Sequence, residues 1–252
     1  MAALVVAQAL STAVIMTAAV VVLRRFPQRA PEPLAEDRVP FRQFVVSSSL
    51  GSLLSPMRGL LGTLLLGVVT VPQQVAYFRI GQVPESAFAS LTAPARLILL
   101  TEQTEDIERG RDDRAYRMLR RYSLGAGLLM LVVLPPLALL MPTLIRVFYG
   151  EEAAPAVSAA RLFLIVAAIQ VVWGWSKSFP VSIGRPELRL LAQGAEIIVL
   201  VPTLLALGAA YGATGGAGAF VIAACVFAAV WTAIVYRLRR ERRAARAAVA
   251  PR

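Results

Sequence analysis

One arginine stands in the middle of an apolar stretch, within Ser55-Pro56-Met57-Arg58-Gly59. A charge at the centre of a bilayer costs at least about 2.5–3.5 kcal/mol on insertion scales, so a residue kept there calls for a ligand or a partner. The planar fork of a guanidinium favours an anionic ligand held by paired hydrogen bonds. The competing reading is a structural ion pair inside a helix bundle, with Glu196 as the counterion. Pro56 can break a helix at this point, and Gly59 lets another group approach the backbone. Glu196 lies about a third of the way into a long apolar run, so it must be paired, protonated or facing water. It is a counterion to Arg58, a protonation switch, or a carboxylate close enough to a helix end to be solvated.

Other chemistry is narrowed by what the sequence lacks. There is no histidine and a single cysteine, Cys225, set in an apolar run where it reads as a small packing residue. Transition-metal sites, Cys-His nucleophilic pairs and disulfides within the chain are therefore excluded, and no cofactor is expected. No loop gathers acidic or nucleophilic residues as a membrane enzyme such as a glycosyltransferase would need, so the reading is not that of an enzyme.

The elements that must position these residues are helices in lipid. Of 252 residues, 58% are hydrophobic and 16% charged, against about 25% charge in ordinary soluble domains. Several apolar stretches approach the roughly 20 residues that cross a hydrocarbon core, and none shows the alternation of a barrel. The net charge of +11 comes from arginines in the gaps between apolar segments, not from a separate basic domain, which argues against nucleic acid as a partner. The expected fold is all-α, a polytopic transmembrane bundle of about seven spans, near residues 2–23, 43–69, 76–101, 121–141, 157–178, 188–210 and 216–237. The third contains Pro84, Glu85, Pro94 and Arg96, and is expected to be kinked or partly interfacial.

Charge counting orients this bundle. Arg24, Arg25, Arg29, Arg38 and Arg42 follow the first span; Arg109, Arg111, Arg114, Arg117, Arg120 and Arg121 follow the third; Arg185 and Arg189 follow the fifth. The tail adds Arg237, Arg239, Arg240, Arg242, Arg243, Arg246 and Arg252, whereas the alternate gaps offer little beyond Arg79 and Arg146. The arginine-rich side is cytoplasmic on this rule, with the N-terminus outside and the C-terminus inside. The expected division is a first helix at 1–23, a cytoplasmic linker at 24–42, a six-helix bundle at 43–237 and a basic tail at 238–252 that clings to anionic membrane lipid. The acidic residues interleaved in 105–121 make that stretch an amphipathic connector with internal charge pairs. An outside N-terminus also suggests a chain that begins partway through a larger architecture.

Four landmarks, VVTVPQQVAYFRI at 68–80, LIRVFYGEEAAP at 144–155, SIGRPE at 182–187 and YGATGGAGA at 211–219, occur in the order and spacing found in another group of proteins. In these, an aromatic-rich turn, an outside loop ending near phenylalanine-glycine, an inside loop with glycine-x-proline and a glycine-rich turn between the last two helices follow in sequence. The chain resembles Wzx-type polysaccharide flippases of the multidrug/oligosaccharidyl-lipid/polysaccharide exporter superfamily, over one six-helix half of a MATE/Wzx-like transporter plus one preceding helix.

That resemblance implies transfer of a polyprenyl-diphosphate-linked oligosaccharide across a bacterial plasma membrane. The partners implied are membrane lipid, that glycan, and either a second half-transporter chain or polysaccharide-assembly proteins. Arg58 would then bond the diphosphate, Glu196 would be its counterion or a switch, and Gln170, Ser176 and Lys177 would add sugar or phosphate contacts. Lys177 also fits a snorkelling residue at the interface. Trp173 and Trp175 either stack on sugars or anchor a helix at the interface. Glu85, Arg96 and Arg161 are expected near span ends, solvated. Pro135, Pro136 and Pro202 are expected to kink their helices, for alternating access or for packing. The alternatives are a MATE-like drug or cation antiporter, whose cavity would favour acidic residues, and an accessory remnant that does not transport alone.

Overall fold

A computed structural model of the chain describes residues 2–25 and 38–249. The described residues are helical, with no strand. In order they form α1 (Ala2–Arg25), α2 (Arg38–Val69), α3 (Pro72–Leu91), α4 (Ala93–Glu108), α5 (Asp112–Tyr149), α6 (Ala156–Val172), the single turn α7 (Phe179–Ser182) and α8 (Glu187–Val249). Short 3₁₀ turns at Glu151–Ala153 and Gly174–Lys177 precede α6 and α7. The chain divides into two units at residues 41 and 42. Most of the expected 24–42 linker, Arg29 included, and the end of the chain with Arg252 lie outside the described residues.

Three helices are long and apolar enough to cross a membrane, Phe41–Val69, Asp113–Tyr149 and Glu187–Glu241; Leu10–Val22 and Ala156–Val172 are shorter apolar helices. Their outward surfaces match that composition. Leu53, Leu60, Leu64 and Val68 on α2 and Leu128, Leu131, Val132 and Leu139 on α5 are all exposed. By length and composition these are the helices of a membrane protein.

α8 is not one rod. Gly212 takes φ 58° and ψ −134°, a conformation open to glycine, and the chain reverses there. Residues 56 apart therefore meet, with Arg185 Nη1 4.0 Å from Glu241 Oε2. The reversal is capped by Gln74 of α3, whose Oε1 accepts the Ala213 N–H at 2.9 Å. The glycine-rich stretch 211–219 is thus a helical hairpin turn, and its second arm continues helical to Val249, through much of what was expected as a separate tail.

Other boundaries also move. The expected span 76–101 is two helices, because Pro94 enters the first turn of α4 and Thr92 caps the end of α3, its N–H bonding Phe88 O at 3.0 Å. α5 extends well beyond 121–141 at both ends, so the arginine-rich connector is largely its first turns. There Asp106 receives Arg111 at 3.1 Å and Arg114 at 3.5 Å. Pro56 does not break α2, nor do Pro135, Pro136 and Pro142 break α5, nor Pro202 the first arm of α8.

α6 is the central element, packed on α3, α5 and α8. Ala156, Ala159 and Ala160 make its α3-facing side thin enough for Gly81 to sit against it; a Cβ on Gly81 would lie 2.9 Å from Ala159 Cβ. At mid-bundle, Phe78, Phe163 and Phe220 form a closed edge-to-face triad with centroids 5.3–5.6 Å apart. This triad is the floor of the charged site.

Candidate functional site

Arg58 projects from α2 over the Phe220 ring, with its guanidinium carbon 4.8 Å from the centroid. Its Nε lies 3.0 Å from Glu196 Oε1 and its Nη2 lies 3.2 Å from Glu85 Oε1. Gln170 Nε2 donates to the same Glu85 oxygen at 2.7 Å. All three charged side chains are largely buried, at 12% exposure for Arg58, 16% for Glu85 and 8% for Glu196. Four elements, α2, α3, α6 and α8, thus converge on one guanidinium. Neither of its ion-pair contacts is aligned as a hydrogen bond, so they act by charge and leave both N–H groups short of a well-directed acceptor.

The local sequence explains why these residues meet. α2 and α3 leave the Thr70–Val71 turn antiparallel, and Arg58 and Glu85 lie nearly the same number of residues on either side of it. α2 runs beside the first arm of α8 in parallel, so Gly51 faces Arg189 as Arg58 faces Glu196. The depth of Arg58 follows from its helix: it stands about 16 Å along the axis from Val69.

Two cavities meet at the cluster. A small one of about 40 Å³ is bordered by Glu196, Gln193 and Ser176. A larger one of about 490 Å³ opens on the α3 side, where Arg79, Gln82 and Ser86 line it. Arg58, Gln170 and Lys177 border both. Buried Gln193 leaves its Oε1 without a donor at the small cavity, which is roomy and polar enough for water.

The structure brings together all four residues singled out from the sequence, Arg58, Glu196, Gln170 and Lys177. Lys177 is half-buried and borders both cavities. The expected helix 157–178 unwinds at Trp173, and the 3₁₀ turn Gly174–Lys177 swings Ser176 and Lys177 to the cavity walls. Gly174 makes that turn possible, since it lies directly against the Tyr122 ring.

Glu85 was expected to be solvated near a span end and is instead the second carboxylate of the site. The signal available was its symmetry with Arg58 about the Thr70–Val71 turn. Trp175 is not an interface anchor: it is 5% exposed, with its ring 5.4 Å from Trp231 and its indole donating to Ser123 Oγ at 2.8 Å. Arg161 is exposed and donates to Ala138 O at 3.0 Å. Cys225 is exposed on the outer face of α8, not packed within it. Among the described residues, no three histidine, cysteine or acidic side chains gather in a way that would hold a metal.

Chemically, the site offers three cations, Arg58, Arg79 and Lys177, against two carboxylates, with amide and hydroxyl groups from Gln82, Ser86 and Gln170. It has hydrogen-bonding capacity for polyols and charge for an anion. No protein-family model, curated protein or solved structure matches this chain.

Proposed function

We propose that this chain is an integral membrane transporter of the polysaccharide-flippase kind. It would move a polyprenyl-diphosphate-linked oligosaccharide from the inner to the outer leaflet of a bacterial plasma membrane. The observation that carries the reading is the buried Arg58–Glu85–Glu196–Gln170 cluster, built on apolar helices and bordering a polar cavity of about 490 Å³. A hydrated glycan and a diphosphate need such a polar route, while the prenyl tail stays in lipid. Arg58, Arg79 and Lys177 would hold the diphosphate, and Gln82, Ser86 and Gln170 the sugar hydroxyls.

The multi-pass topology is part of the proposal. Each arm of α8 exceeds the roughly 20 residues a crossing requires, and the end where Arg111, Arg114, Arg185 and Arg239 gather would face the cytoplasm. A second half-transporter chain would complete the pathway. This reading does not assign the chain an enzymatic activity.

One observation favours a second reading. Two carboxylates share one guanidinium, and an acidic excess at the buried core suits a MATE-like cation antiporter in which Glu85 or Glu196 exchanges its arginine partner for a cation. The cations at the larger cavity's wall weigh for the anionic substrate.

The lone cysteine allows a direct test. In a Cys225→Ser background, Gln82→Cys places a thiol in the cavity for labelling by a membrane-impermeant maleimide. A lipid-linked oligosaccharide should slow labelling, and a cationic dye should not. Protection by the dye alone would favour the antiporter reading, and protection by neither would contradict both.

A further inference from the structure

The basic end of the bundle holds another cavity, of about 300 Å³, apart from the Arg58 cluster. All three tryptophans of the chain, Trp173, Trp175 and Trp231, line it. Trp231 is fully buried, yet its indole N–H has no acceptor. Trp175, beside it, donates to Ser123 Oγ at 2.8 Å, and the two buried indoles back the cavity wall.

Two arginines line the cavity. Arg120 comes from the first turns of α5 and Arg239 from the second arm of α8. Arg239 is held in place, its guanidinium carbon 5.5 Å from the Tyr116 ring centroid and its Nη2 donating to Tyr116 O at 3.5 Å. The remaining wall is mostly apolar, with Leu119 and Val235, and no carboxylate is among the described residues that line it. Two cations over an apolar, aromatic wall match an amphiphile with an anionic head.

We propose that this cavity binds the phosphate headgroup of an anionic phospholipid. The phosphate oxygens accept from Arg120 and Arg239, and the glycerol and first acyl carbons lie against Trp173, Leu119 and Val235. A free phosphate would satisfy the donors but leave that apolar wall uncovered, which is why the lipid is the better occupant. Basic and aromatic residues at a membrane surface favour anionic headgroups on general grounds, and here they are arranged as a pocket. The inference rests on the membrane placement proposed above, not on the transported substrate, so a failed transport assay leaves it standing.

The three tryptophans supply the readout. The full chain in neutral detergent micelles is titrated with dioctanoyl phosphatidylglycerol, with dioctanoyl phosphatidylcholine and inorganic phosphate as controls, while tryptophan emission is followed. Phosphatidylglycerol should give a saturable change that the zwitterionic lipid does not. The Arg120→Gln/Arg239→Gln variant, altered at two exposed side chains, should bind about tenfold more weakly or worse. Trp173→Leu removes a half-buried indole from the cavity wall and should also weaken binding, with Trp175 and Trp231 still reporting. Circular dichroism of each variant checks that it is folded. Equal response to both lipids, or wild-type binding by both variants, overturns the proposal. Saturation by inorganic phosphate over the same concentration range rejects the lipid and leaves a simple anion site.

Discussion

Arg58 Nη2 lies 3.2 Å from Glu85 Oε1, and this contact links two antiparallel helices, α2 and α3, at matched distances from the turn that joins them. On its other side the guanidinium meets Glu196 of α8 at 3.0 Å. One side chain therefore ties three helices around a cavity. The same geometry means that the cavity cannot be altered at Arg58 without changing how those helices are held.

Arg58→Ala would leave Glu85 and Glu196 buried with no cation between them. Breaking a buried pair from one side destabilises by about 3–5 kcal/mol. Thermal unfolding in micelles should show a clear drop for Arg58→Ala, and adding Glu85→Gln and Glu196→Gln should restore much of it. No recovery in the triple variant would show that lost packing over Phe220, not unbalanced charge, is the cause.

Gln170→Leu removes the donor that steadies Glu85. Hydrogen bonds to charged groups contribute about 1.5–3 kcal/mol, so a loss in that range is expected. The effect should shrink when Glu85 is already Gln, because the charge that strengthens the bond is gone. A double-mutant cycle in the same unfolding assay measures this, and full additivity would contradict the contact.

Gly81 is where α3 and α6 come closest. Gly81→Leu should destabilise the bundle by about 1–3 kcal/mol through overpacking against Ala159. The loss should be read as lower melting temperature, with Gly81→Ala intermediate. A neutral Gly81→Leu would show that the two helices can separate freely.

Gly212 and Gln74 form one device at the α8 reversal. Gly212→Ala forces a side chain into a glycine-only conformation, a strain of about 1–3 kcal/mol. Gln74→Leu removes the acceptor from Ala213 N–H, worth about 0.5–2 kcal/mol by analogy with other N-cap losses. Protease sensitivity near residues 205–218 should rise in both variants if the hairpin turn is what they loosen.

Much of the fold was legible because lipid solvation leaves a plain mark: long apolar runs punctuated by arginines. The Arg58–Glu196 pair was legible for the same reason, since two isolated charges in apolar segments have few other partners. Glu85 was missed because placing α3 four residues too late, at 76 instead of Pro72, shifted its depth, and because its helix was extended past Thr92 to 101. The 3₁₀ turn that ends at Lys177 was not legible, because hydrophobicity does not register one. Gly174, where it begins, lies against Tyr122 of a distant helix, a contact with no trace in local sequence. A proline need not end a long apolar helix: α2 continues through Pro56 and α5 through Pro135, Pro136 and Pro142.

The central claim is best tested by the distribution of lipid-linked oligosaccharide between membrane leaflets, in cells lacking this gene and in cells restored with wild type, Arg58→Ala or Arg58→Lys. The account predicts inner-leaflet accumulation on deletion, reversal by wild type, little reversal by Arg58→Ala, and partial reversal by Arg58→Lys, which keeps the charge but not the paired bonds. An unchanged distribution on deletion, or full reversal by Arg58→Ala protein present at wild-type abundance, would contradict it.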